Sequence, residues 1–79
     1  MAAPVPLRPL GSGYLLWLRD AAGSVSASSV VATGRLGPAG HVVYSDCDGH
    51  LQVEITADGR HRVLTRPART HVVATEPLP

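Results

Sequence analysis

Hydrophobic and polar positions alternate most regularly in the second half of the chain. HVVYSDC, HLQVEITA and RHRVLTR are three runs of strand type, separated by Asp48-Gly49 and Asp58-Gly59. An Asp-Gly pair between alternating runs is the strongest short cue for a hairpin, because both residues accept the positive φ that a tight turn needs. With a two-residue turn at each pair, Cys47 faces His50 and Ala57 faces Arg60. Counting outward, Val42, Tyr44, Leu51, Val53, Ile55 and Leu64 share the core face, with Arg62 and Arg66 nominally on it. Gln52, Glu54, Thr56, His61 and Val63 fall on the opposite, wet face. A bulge at either turn would move a strand by one residue and reverse its faces.

Upstream, GYLLWLRD places Tyr14, Leu16 and Leu18 on one side of a strand and Leu15, Trp17 and Arg19 on the other. A strand apolar on both sides is either central in its sheet or has one side covered by a partner. Residues 24–36 alternate Val25, Ala27, Ser29 and Val31 with small polar residues, a long and bent strand, with a short helix over 26–33 as the alternative. Gly37-Pro38-Ala39-Gly40 is a turn. Pro67 ends the fifth strand, and residues 70–76 supply a sixth before Pro77 and Pro79.

These elements predict an all-β fold, a small single-domain barrel or strongly bent antiparallel sheet of five to six strands. The order of an apolar first strand, a long second segment, a turned meander and a short last strand after a proline resembles an SH3-like small barrel over residues 13–76. An OB-like barrel or a plain sandwich fits the same pattern. Residues 1–12 read as an extended Pro/Gly-rich arm and 77–79 as a tail.

Composition narrows the class. A chain of 79 residues holds one core, and with no Phe and one Trp that core must be filled by Val, Leu, Ala and a few rings. One cysteine excludes an internal disulfide and fits a reducing compartment. There is no apolar run of membrane-spanning length and no signal-peptide pattern, so the expectation is a cytoplasmic protein without membrane contact. All seven basic side chains are Arg, with neither Lys nor Asn present. That usage marks a GC-rich gene, of a high-GC bacterium, its phage or a high-GC virus, rather than selection for phosphate binding.

Candidate chemistry is sparse. Asp46 and Asp48 flank Cys47 and disfavour its thiolate, and no triad order surrounds it. Asp46-x-Asp48-Gly49 starts like a calcium loop, but Ile55 stands where the loop needs a Glu. His50 and His61 lie too far apart along their strands to share an ion, and only His61 with His71 could approach one another. Pro6-Leu7-Arg8-Pro9 matches a minimal PxxP pattern of the kind that proline-rich tails produce by chance. The sequence therefore predicts no enzyme, no cofactor and no metal site.

The remaining feature is a basic stretch with no acid in it, Arg60, Arg62, Arg66, Arg69 and His71. Two functions follow as expectations. The first is a non-catalytic protein-interaction module, an accessory or regulatory subunit or a small phage or virion component. It would bind another protein or itself through strand edges and an apolar face, using Tyr14, Trp17, Arg62 and Arg66. The alternative is a nucleic-acid-binding small barrel using Arg60, Arg62, Arg66 and Arg69, weakened by a net charge of only +1.

Overall fold

The computed structural model describes residues 13–78. Six strands follow in chain order: β1 (Gly13–Asp20), β2 (Val25–Leu36), β3 (Val42–Ser45), β4 (Gln52–Ile55), β5 (His61–Thr65) and β6 (Thr70–Pro77). All pairings are antiparallel, and no helix forms among the described residues. The 12-residue β2 is a strand throughout, so the helical alternative over 26–33 does not apply. The sheet order is β5-β4-β3-β2-β1-β6, a five-strand meander of β1 to β5 with the sixth strand returning beside the first. The sheet curls into a half-barrel.

Three of the hairpins use one device. Asp20/Ser24, Gly37/His41 and Thr56/Arg60 each close a three-residue loop whose last member is a glycine at positive φ: Gly23 (86°), Gly40 (86°) and Gly59 (88°). This is the type I turn plus glycine bulge, the commonest three-residue hairpin, and its αL position suits glycine because no Cβ meets the carbonyl. The β3–β4 connection differs. The Asp46 N–H donates to the Leu51 carbonyl at 3.0 Å, closing a four-residue loop, and the Asp46 carboxylate accepts from the Leu51 N–H at 3.2 Å.

These loops decide the register. Tyr44 faces Val53 and Val43 faces Glu54, as counted from Asp48-Gly49, although Cys47 and His50 lie in the loop rather than paired. The expected two-residue turn at Asp58-Gly59 is wrong. The three-residue loop there moves β5 by one position, so Ile55 faces His61, Glu54 faces Arg62 and Val53 faces Val63. Val63, not Leu64, packs on the core, and Arg62 leaves the core face; Leu64 is the extra residue of a bulge.

The core fills the hollow of the half-barrel. Tyr14, Leu16 and Leu18 from β1 meet Val30, Tyr44, Leu51, Val53 and Ile55. The Tyr14 and Tyr44 rings lie edge to face, centroids 5.0 Å apart at 84°. On β2 it is Val30 that points inward, opposite Tyr14, whereas Val25 and Val31 stand on the outer surface. The apolar alternation seen in that segment thus belongs to the outside of the sheet.

Candidate functional site

β1 is central, between β2 and β6, so its two apolar sides have different fates. The side carrying Tyr14, Leu16 and Leu18 is core. The other side carries Leu15, half-buried, and Trp17, 37% exposed. The register sets Trp17 between Ala27 of β2 and Ala74 of β6. Two methyl-sized neighbours flank the partly exposed indole, and Val25, Val31 and Val73 are also exposed on this part of the molecule. One row along, Arg19 lies between Val25 and His71; one row the other way, Leu15 lies between Ser29 and Glu76. Large apolar groups presented on a rigid strand are the usual anchors of protein contacts.

Both outer strands of the sheet are irregular. β6 carries an extra residue, Val73, between the pairs Trp17/Ala74 and Leu18/Val72, and β5 carries Leu64 in the same way. A bulge breaks the even row of backbone groups that a further strand would need, so these edges are blunted against pairing.

A second feature lies within the meander, at Glu54 of β4. Alternation puts its side chain on the wet side, yet it is buried at 2% exposure. The β2–β3 loop, residues 37–41, folds over it. Glu54 Oε2 accepts from the Ala39 N–H at 3.0 Å and the His41 N–H at 2.9 Å, tying the loop to β4. Gly37 makes this approach feasible, since a Cβ there would sit 2.6 Å from the carboxyl carbon. Oε1 is buried and has no hydrogen-bond partner among the described residues. Beside the carboxylate is an open groove of about 190 Å³ lined by His41, Thr56, Arg60 and Arg62 among others. Arg62 faces Glu54 across the β4–β5 ladder but forms no ion pair with it among the described residues.

The residues predicted as sites separate. Tyr14 is 4% exposed and belongs to the core, so its ring is not available to a partner on the surface, which corrects its expected role. Trp17 is on the outer surface. Arg62 is exposed on the β5 side of the groove, and Arg66 donates from Nη1 to the Thr70 carbonyl within the β5–β6 connection. Arg60 pairs with Asp58 at 3.5 Å, both side chains largely in solvent. The Thr56 hydroxyl donates to Asp58, and this bond, with Arg60 adding, lowers the Asp58 carboxyl below its ordinary value. Arg69 holds the αL conformation at φ 59°, the one non-glycine to do so among the described residues. Arg60 and Arg62 are thus at the groove, while Arg66 and Arg69 sit past the far end of β5.

Cys47 is exposed, and no three His, Cys, Asp or Glu side chains come together as metal ligands among the described residues. No helix there is long and apolar enough to cross a membrane. The proline-rich arm and its PxxP lie outside the described residues. Sequence reasoning missed Glu54 and the alanines beside Trp17. Ala27 and Ala74 were findable only with the register in hand, and the one signal for Glu54 was the glycine-rich loop fourteen to seventeen positions before it.

Fold and surface together define a small all-β half-barrel domain with an apolar patch on its outer side. The chain belongs to a family of unknown function, DUF6296, whose model matches residues 10–79 and so takes in every described strand. No curated protein and no solved structure matches the chain.

Proposed function

We propose that the chain is a non-catalytic protein-interaction module, an accessory or regulatory subunit or a small phage or virion component, that docks through its outer β2-β1-β6 surface. The observation that carries this reading is Trp17, exposed between Ala27 and Ala74 on a surface that also exposes Val25, Val31 and Val73. Burying an indole and two or three valines is worth several kcal/mol by area, enough to anchor a contact. The bulges at Val73 and Leu64 move the emphasis from strand edges to this surface.

The test is site-specific photo-crosslinking in the native host. A photoreactive residue at position 17, 31 or 73 should give discrete protein adducts, and one at position 47 should not. Absence of adducts from all three outer positions overturns the reading.

A second reading, nucleic-acid binding through Arg60, Arg62, Arg66 and Arg69, is favoured by the exposure of all four. Among the described residues Arg60 is shared with Asp58, and Arg66 with a carbonyl, leaving Arg62 and Arg69 as the uncommitted cations of the four. With so few free charges the affinity for a random oligomer should be weak and fall steeply with salt. Binding unchanged when all four are replaced by Gln would remove this alternative.

A further inference from the structure

We infer that the partner on the outer surface is a second copy of this chain, packed face to face. This rests on the docking reading above and names its occupant. The argument is the order of rows across β2, β1 and β6. Trp17 occupies the middle row, flanked by Ala27 and Ala74. Arg19 and His71 pair with each other in the row on one side, and Glu76 sits opposite Leu15 in the row on the other.

Such a surface is complementary to itself. A two-fold axis through the centre, lying in the interface and perpendicular to β1, sets the two β1 strands antiparallel and brings each His71 over the other copy's Glu76, with Arg19 one strand to the side of it. The same axis runs along the row of Ala27, Trp17 and Ala74, so the two Trp17 indoles meet at the centre of the contact. Isologous contact of this kind requires one patch to carry both a charge and its complement on opposite sides of the axis, and this one does. Two sheets so stacked make the aligned sandwich that twisted sheets favour, about 10 Å apart. Parallel stacking would instead oppose Arg19 to Arg19.

Size sets the expected strength. Three strands at about 4.8 Å spacing and about 23 Å length, widened by their side chains, bury on the order of 500 Å² per copy, near the lower limit for specific interfaces. The dimer should therefore dissociate in the micromolar range rather than be obligate.

The experiment is sedimentation equilibrium of the full chain from about 1 µM to about 500 µM, a span that brackets micromolar association. A reversible monomer–dimer equilibrium is expected. Trp17→Ser, and independently Ala27→Glu beside it, should weaken it by roughly tenfold or more, with unchanged circular dichroism, while Cys47→Ser leaves it intact. Arg19→Glu or Glu76→Arg alone should weaken it by about twofold to fivefold, and the double exchange should recover it. A monomer at every concentration, or a dimer indifferent to both Trp17→Ser and Ala27→Glu, overturns the inference. The same photo-crosslinks separate the two claims. Adducts from position 17 to a different protein, with the chain monomeric, leave the docking reading standing and remove self-association. Adducts to the chain's own peptides support both.

Discussion

A carboxylate withdrawn from water costs several kcal/mol unless its oxygens are met by donors. At Glu54 one oxygen is met twice and the other not at all, so the side chain works as a clasp on residues 37–41 while remaining short of full satisfaction. Glu54→Ala should remove amide-exchange protection at Ala39 and His41 and cost about 1–3 kcal/mol, measured by denaturant titration. Glu54→Gln keeps an acceptor for those amides and should cost less. Gly37→Ala should destabilise by a similar amount for a steric reason, because its Cβ would have to displace the carboxylate. Asp58 gives a pH signature of its own. Its carboxyl is lowered first by the Thr56 hydroxyl and then by Arg60, so its contribution is complete above the ordinary carboxylate value and disappears as acid takes the pH through the lowered one. The contribution is small because the group is exposed. Comparing the acid limb of the melting temperature with that of Asp58→Asn should show it, the variant losing less stability on acidification.

At the level of the strand and its turn, the glycine loops set which side chains face inward. Gly23, Gly40 and Gly59 sit at positive φ with open space where a Cβ would go, so alanine there meets only a backbone penalty. Each Gly→Ala should cost about 1 kcal/mol in a chemical melt. Arg69→Gly should do the reverse or be neutral, releasing an αL arginine. These same loops mark what the sequence could disclose. Alternation and Asp-Gly cues were enough for strand number, for the Tyr44/Val53 register and for grouping Tyr14, Leu16 and Leu18 on one face, but not for saying which face of β1 is buried. They were not enough at β5, because Asp-Gly suits a two-residue turn and a three-residue loop equally, and one residue of difference exchanges Val63 with Leu64 and turns Arg62 outward. β2 misled for another reason. Its valines at 25 and 31 mark an outer surface, while the single inward Val30 lies among serines. Glu54 was beyond local pattern altogether, since its burial comes from a loop that another strand pair projects over it.

Taken whole, the domain is a shallow half-barrel with one modest core, and by size alone its stability should be about 4–12 kcal/mol. Leu16, fully buried on the central strand, is the test of that margin. Leu16→Ala should cost about 2–5 kcal/mol, leaving the chain near its unfolding midpoint if the total is at the lower end. Urea titration followed by Trp17 fluorescence would measure both quantities in one series. If the chain dimerises through its outer surface, the midpoint should rise with protein concentration, as it does for any fold stabilised by mass action.

The return of β6 to β1 has a consequence in time as well as space. β1 is made first of the six strands, but one of its two neighbours is made last, and the Leu78 N–H reaches back to the Gly13 carbonyl at 3.0 Å. On the ribosome, therefore, the meander from β1 to β5 can assemble while the Trp17 strand still lacks its second neighbour. The sheet is completed only when β6 emerges, so a nascent chain stalled before residue 70 would leave that strand as an open edge.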